Sequence, residues 1–400
     1  MEVLADRDTG RERFSRVKVL QLIHGLNTGG AETLVKEYAL RLDREAFDVT
    51  VLCYERCDSP YEGMLRDAGI PVIYVCDDLA FNGRKSCFVK LIHHFARYVL
   101  VKRYIKKINP DILHLHLLLS GYVRYAKPDR KTKLFYTQHF QTERWKANHP
   151  EDIRHMAWLL QNYDTQLIAL TEPMRRELNA LFHRTDTVIL NNGIPLDQYE
   201  SRVSKSEMKR RCGIPEQSFV VGHVGRFDTV KNHEFLVRVF DEIQKRERDA
   251  WLLLIGSGPL EASIKKRLAE LGLQNRAVLL RNRTDICDLL HAMDVFVFPS
   301  FSEGLGISVI EAQAACVPCL VSTGTPARAG ISNHIAYLPL SEPPEKWAEQ
   351  ALRATKSGEP WSYDHIEDWD IRTIIKKLEA YYLEKAGNRG GGDENREQDR

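Results

Sequence analysis

A chain of 400 residues exceeds what one hydrophobic core usually serves, so two domains and a cleft between them are expected. An apolar fraction of 43% with 28% charged residues fits a water-soluble globular protein, and no apolar run approaches the roughly 20 residues that span a bilayer. The net charge of +2 is too small to imply nucleic-acid binding, so no nucleic-acid partner is expected.

Residues 1–15 form a polar leader of mixed charge without the apolar stretch of a secretory signal, which points to a cytoplasmic chain whose eight cysteines stay reduced. Val17 to Ile23 is short and apolar and leads to Gly29-Gly30, the pattern of a buried strand, a tight turn and a helix from about Ala31. Apolar segments at Val49 to Cys53, Val72 to Val75, Ile112 to His116, Leu134 to Thr137, Leu167 to Leu170 and Val188 to Leu190 alternate with helical stretches. That punctuation predicts a parallel sheet covered by helices over residues 16–195. Within it, Arg84, Lys85, Lys90, Arg97, Lys102, Arg103, Lys106 and Lys107 occur with no acidic residue between 84 and 110. Phe88, Leu91, Ile92, Phe95 and Val99 recur there at helical spacing, which predicts a helix with this stripe in the core. Its cationic surplus suits an anionic membrane surface, so association with the inner face of the plasma membrane is expected.

Asn191-Asn-Gly-Ile-Pro195 carries turn signals, and a second series of strands follows at Phe219 to Val224, Trp251 to Ile255, Ala277 to Leu280, Val295 to Phe298 and Cys319 to Val321. A second α/β domain is therefore expected over 196–360, then a C-terminal helix over 361–385 and a disordered tail over 386–400.

Ligands of open parallel sheets bind where strands lead into helices. Arg226 and Lys231 lie in such a loop, where two cations can hold a diphosphate and offset charge as it leaves. Downstream, Glu303-Gly304-Leu305-Gly306-Ile307 connects a buried strand to a helix, and the amides at that helix start would face an anion. Glu303 could accept hydrogen bonds from sugar hydroxyls, and Glu311, two turns into the helix, from a ribose diol. The plain alternatives are ordinary loop charges, a capping residue and a solvated helix residue.

The Gly225-Arg-Phe…Lys231-Asn segment and the Glu303…Glu311 spacing resemble glycosyltransferase family 4. Gly29-Gly-Ala-Glu32, Pro110 to His116, Tyr136-Thr-Gln-His139 and Asn191-Asn-Gly193 are similar to other segments of that family, so the resemblance covers nearly the whole chain. It implies the GT-B fold, two Rossmann-like domains with parallel sheets facing an interdomain cleft, the C-terminal helix packing back toward the first domain. It further implies retaining transfer from a nucleotide diphosphate sugar, such as a UDP-sugar, to a hydroxyl of a carbohydrate or lipid-linked acceptor. By resemblance, Arg226 and Lys231 contact the donor diphosphate, Glu303 the donor sugar and Glu311 the ribose. Gly29 and Gly30 form the first glycine-rich loop, and His139 lies near the reacting sugar. The stretch from Val321 to Trp347 resembles the capsule and exopolysaccharide branch. Two positions depart from the family: Arg281 replaces a glycine near the expected nucleobase, and Phe140 follows His139.

Other motifs carry less. Cys316-Val-Pro-Cys319 lacks a second pair to complete a metal site and reads as packing. His114 and His116 share one face of a strand and read as hydrogen-bonded wall residues of the cleft. Asp6-Arg-Asp8 and Asp368-Trp-Asp370 do not follow core strands, so no essential metal and no cofactor are expected. Gly256-Ser-Gly258-Pro259 either approaches the nucleotide or is a plain strand-to-helix turn. No residue offers itself as a carboxylate nucleophile, which favours a front-face route in which the leaving phosphate takes the acceptor proton. A nucleotide-sugar epimerase and a catalytically silent subunit of a polysaccharide assembly complex are the rival readings.

Overall fold

The structure, a computed structural model, describes residues 16–387 apart from 28, 80–86, 201–202 and 357, with the backbone alone over 87–94. The expected leader, most of the expected tail, Arg84 and Lys85, and the side chains of Phe88, Lys90, Leu91 and Ile92 lie outside the described residues.

Thirteen strands among the described residues form two sheets. The first holds β1 (Val17–Ile23), β2 (Phe47–Cys53), β3 (Val72–Tyr74), β4 (Ile112–His116), β5 (Lys133–Thr137), β6 (Thr165–Ala169) and β7 (Val188–Ile189), in the order β3-β2-β1-β4-β5-β6-β7. The second holds β8 (Phe219–Val224), β9 (Ala250–Ile255), β10 (Ala277–Leu280), β11 (Val295–Phe298), β12 (Cys319–Ser322) and β13 (Ile335–Leu338), in the order β10-β9-β8-β11-β12-β13. Every pairing is parallel. Helices cover both faces, which explains why the strands read as continuous apolar runs rather than alternating ones. In β8, for example, Val220 packs with Met293 and Phe296 on one face, and Val221 with Leu236 and Phe240 on the other.

The strand order reverses between β1 and β4 and again between β8 and β11. Loops leaving the two neighbouring strands diverge there and open a crevice at the carboxyl edge of each sheet.

The chain passes between the domains twice at one place. Ile194 donates its amide to Trp369 O at 2.7 Å, and Ile371 donates to Ile194 O at 3.0 Å. Gly193 is required there, because a Cβ would meet Ile371 Cα at 2.6 Å and Ile371 N at 2.9 Å. After a short 3-10 turn at Ile366–Trp369, the helix Ile371–Gly387 returns to the first domain. Its Ile371, Ile374, Leu378 and Tyr382 pack against Val19, Tyr38 and Phe47.

The basic stretch forms a helix over Cys87–Ile108, but the two residues of the expected core stripe whose side chains are described do not lie in the core. Phe95 and Val99 are 64% and 54% exposed, whereas Val101 and Ile105 are buried with Val123. Helical spacing identifies residues that share a face, not which face meets the domain. Here a second stripe, extended by the partly buried Leu100, Tyr104 and Ile108, takes the inward side.

Replacing Gly193 by Ala should force the two crossing segments apart and cost about 1–3 kcal/mol. Denaturant unfolding of the two chains checks this, and an unchanged midpoint would mean that the crossing accommodates a side chain freely.

Candidate functional site

The loop from Gly225 to Asn232 leaves β8 and enters the helix His233–Arg246. It is held down by its neighbour: a Cβ on Gly256 would meet Gly225 O at 2.0 Å, and one on Gly258 would meet Phe227 O at 2.4 Å. These glycines of Gly256-Ser-Gly258-Pro259 therefore let one loop lie on the other. Asp228 Oδ1 accepts from the amides of Val230 at 3.1 Å and Lys231 at 3.3 Å, which fixes the turn that aims Lys231.

Lys231 Nζ lies 2.7 Å from Glu303 Oε1 and 4.6 Å from the centroid of the Phe298 ring. The two side chains are only 17% and 11% exposed, so the pair is largely withdrawn from water, where a charge-assisted hydrogen bond is strong. Ser300 Oγ contacts the same Glu303 oxygen. The strand order brings these groups together from positions 72 residues apart.

Beyond Glu303, the chain passes Gly304 and the buried Leu305 to Gly306, whose φ of +77° favours glycine and starts the helix Ile307–Ala314. Among the described residues, the amides of Leu305, Gly306 and Ile307 have no hydrogen-bond partner. The second turn carries Glu311, which is not a solvated helix residue. Its Oε1 accepts from the Tyr199 hydroxyl at 3.0 Å. Burial raises its pKa to about 7, against the opposing pull of the Tyr199 hydrogen bond and the Lys36 charge from the first domain.

On the opposite wall, Gly29 is extended and precedes the helix Gly30–Arg41. A Cβ on Gly29 would meet only the flexible carboxylate of Glu32, and one on Gly30 would meet nothing within 4 Å, so this lip of the cleft is open. Burial raises the pKa of Glu32, while the charge of the exposed Arg226 across the cleft lowers it. His139 follows β5 with Nε2 placed 3.0 Å from His116 Nδ1. Burial holds it neutral, with a pKa lowered to about 3. Its Nδ1 is buried without a hydrogen-bond partner. Two residues on, Gln141 Nε2 donates to Ser302 Oγ at 2.7 Å, a bridge between the domains beside Glu303. Phe140 turns away and meets Trp145 edge to face, with ring centroids 6.1 Å apart.

A cavity of about 690 Å³ adjoins this constellation, lined by Asn27 from the first domain and by Ser257, Gly258, Pro259, Lys265, Arg281 and Asn282 from the second. Arg281 folds back on Glu261, which also pairs with Lys265 at 2.7 Å. His114 and His116 are hydrogen-bonded but are fully buried beneath the cleft rather than part of its wall. Cys319 is buried and Cys316 exposed, both as free thiols. Among the described residues, no group of three or more His, Cys, Asp or Glu side chains is arranged to hold a metal ion.

The structure thus gathers Lys231, Glu303 and the 304–307 turn on one wall and places His139 near them through the Gln141 bridge. Arg226 stands at the open side, and Glu311 lies deeper, toward Lys36. Tyr199, Gln141, Ser302, Asn27 and Lys265 were not legible as site residues, since each comes from a loop or helix whose approach depends on sheet order. Chemically, the arrangement offers cations and unpaired amides for an anion, and carboxylates for hydroxyl donors.

Comparison with known proteins agrees with this geometry. Residues 28–198 match the family model described as Glycosyltransferase Family 4, and residues 204–360 match that of Glycosyl transferases group 1. The putative glycosyltransferase EpsF of Bacillus subtilis is 29% identical over 357 residues, covering 86% of this chain and 90% of its own. An Escherichia coli relative, UDP-Gal:alpha-D-GlcNAc-diphosphoundecaprenol alpha-1,3-galactosyltransferase, is 26% identical over 324 residues, covering 78% of this chain and 79% of its own. CapH of Staphylococcus aureus, a capsular polysaccharide biosynthesis glycosyltransferase, is 24% identical, covering 92% and 99%. Among solved structures, HepE of Anabaena in complex with UDP and glucose superposes with a TM-score of 0.67 at 19% identity, covering 92% of this chain and 95% of that one.

A carboxyl whose folded pKa is raised contributes stability that is fully present below its unfolded value and lost as pH rises through the folded one. For Glu311 that window runs from about 4.5 to about 7. Glu311→Gln, which does not titrate, should therefore gain thermal stability relative to the native chain between pH 5 and 8. A pH-independent difference in melting temperature would contradict the burial of this carboxyl.

Proposed function

The chain belongs to the glycosyltransferases, its first half to family 4 and its second to group 1, and we propose that it is a retaining enzyme using a UDP-sugar donor and a hydroxyl acceptor. The observation that carries the reading is the Lys231–Glu303 pair beside the unpaired amides of residues 305–307, with His139 on the facing wall. In this reading a diphosphate sits at the helix start, attracted by those amides and by the helix dipole. Arg226 and Lys231 offset the charge that grows on it as the sugar departs. Glu303, oriented by Lys231 and Ser300, accepts hydrogen bonds from sugar hydroxyls, and Glu311 accepts them from the ribose. The cavity at Asn27, Gly258 and Arg281 would take the base.

With Glu303 engaged as a binder, no carboxylate stands out as a nucleophile, which supports the front-face route in which the leaving phosphate accepts the acceptor proton. Protein cations at the diphosphate make a metal unnecessary in this scheme. The UDP-sugar donor is supported by the name of the E. coli relative and by the UDP in HepE, and cell-surface polysaccharide assembly by the names of CapH and the E. coli relative. The glycosyltransferase names among these relatives leave the epimerase without support.

We further propose a cytoplasmic enzyme that visits an anionic membrane through the helix Cys87–Ile108 to reach a lipid-linked acceptor. The exposed Phe95 and Val99 share a face with Lys102, Arg103 and Lys106, a combination suited to acyl chains below and anionic headgroups above. No helix among the described residues is long and apolar enough to cross a membrane.

Lys231→Ala should lower turnover about 10- to 1000-fold, more than it weakens donor binding, and the native enzyme should keep turning over in excess chelator. Calorimetry divides the carboxylates. Glu311→Ala should weaken binding of UDP itself, whereas Glu303→Ala should weaken only the UDP-sugar. Full activity of Lys231→Ala, or equal losses in both carboxylate variants, would refute the assignment.

The native chain should co-sediment with vesicles containing anionic lipid, less so as salt rises, and the triple variant Lys102→Glu, Arg103→Glu, Lys106→Glu should not. Equal sedimentation of both chains would leave this helix as scaffold.

A further inference from the structure

Beneath the first domain's cleft floor, five buried side chains and His139 form an unbroken chain of hydrogen bonds. Thr137 Oγ1 lies 2.8 Å from His114 Nε2, and His114 Nδ1 lies 2.6 Å from the Tyr382 hydroxyl. Gln21 Nε2 donates to that hydroxyl at 3.1 Å, while Gln21 Oε1 lies 2.8 Å from His116 Nε2. His116 Nδ1 then meets His139 Nε2 at 3.0 Å. Gln21, His114, His116, Thr137 and Tyr382 are all fully buried.

With the Gln21 amide placed so that Nε2 faces Tyr382 and Oε1 faces His116, the direction of each remaining bond follows from what each atom can do. An amide oxygen only accepts, so His116 Nε2 carries a proton. Burial keeps His116 neutral, so its Nδ1 is bare and accepts. His139 Nε2 must then be the donor, and in a neutral ring that leaves Nδ1 as a lone pair. This is the same Nδ1 that is buried without a partner. On the other side, the Tyr382 hydroxyl accepts from Gln21 and donates to His114, whose Nε2 proton reaches Thr137. All members are satisfied except the final nitrogen, and an unpaired buried acceptor is costly unless a ligand supplies the donor.

We propose that Tyr382, Gln21 and His116 are positioning residues that hold His139 in the tautomer protonated on Nε2, so that its Nδ1 accepts a hydrogen bond from a hydroxyl of the bound donor sugar. The second half rests on the donor site proposed above; the tautomer does not. Tyr382 comes from the helix Ile371–Gly387, which reaches the first domain only after the chain has built the second, so the polarity of a cleft residue is set by the last helix. Without the Tyr382 hydroxyl, Gln21 Nε2 loses its acceptor, so the amide is free to turn over. Reversal of that amide reverses every bond up to His139 and turns its Nδ1 from acceptor to donor.

Nitrogen NMR of the full chain labelled at histidine separates protonated from bare ring nitrogens, with the His139 signals identified by their loss in His139→Gln. The native chain, without donor, should show His139 and His116 both protonated on Nε2. Tyr382→Phe keeps the buried ring and should give a mixture of His139 tautomers, as should Gln21→Leu, while Gln21→Glu, which still offers His116 an acceptor, should retain the native one. Turnover should fall roughly tenfold in Tyr382→Phe with acceptor KM unchanged, and recover in no added buffer base, since the loss is one of hydrogen-bond polarity. A native His139 protonated on Nδ1, or a Tyr382→Phe chain with the native tautomer intact, would overturn the proposal. Because the spectra need no donor, a wrong donor assignment would leave this result standing, and a wrong network would show itself in an active enzyme.

Discussion

A parallel sheet delivers all of its strand-to-helix loops to one edge, because every strand runs the same way. Both sheets of this protein obey that constraint, and the double crossing at Gly193–Ile194 and Trp369–Ile371 fixes the domains side by side. The Gln141–Ser302 hydrogen bond shows the two loop edges meeting. Lys231 and Glu303 touch because β8 and β11 are neighbours at the point where strand order reverses. The site is thus a consequence of topology before it is a consequence of any single side chain.

Charge in such a cleft must be paired or given up. Lys231 and Glu303 are paired, with little exposure left to either. Glu311 has only the Tyr199 hydroxyl close by and the Lys36 charge across the cleft, and its pKa rises to about 7. His139 and its buried neighbours stay neutral. A ligand that brings hydroxyl donors and an anion would satisfy the carboxylates, the bare histidine nitrogen and the helix-start amides together. Each of these groups is suited to the same class of molecule.

The surface away from the cleft divides differently. The helix Cys87–Ile108 packs through Val101 and Ile105 and leaves Phe95 and Val99 outward beside its lysines and arginines. On this helix Tyr98 stacks on the Tyr122 ring and meets the Tyr125 ring edge to face, and Lys102 lies 5.2 Å from the Tyr125 ring.

Much of this was written in the order of residues. Buried parallel strands appear as short apolar runs, and loops that follow them carry the polar residues, so the two sheets, Arg226, Lys231 and the Glu303…Glu311 spacing were legible without coordinates. Periodicity found the basic helix but placed Phe95 and Val99 in its core, since two apolar faces compete and only the neighbouring elements decide between them. Gln21, Tyr199, Gln141 and Tyr382 carried no local signal at all. They act on residues as far as 361 positions away, as Tyr382 does on Gln21, and only chain return and strand order set such distances. Sequence by itself determined the elements and the chemistry available at their ends; tertiary structure decided which of those ends share a cleft and which ring nitrogen of His139 faces it, because hydrogen-bond polarity depends on partners that only folding brings within 3 Å.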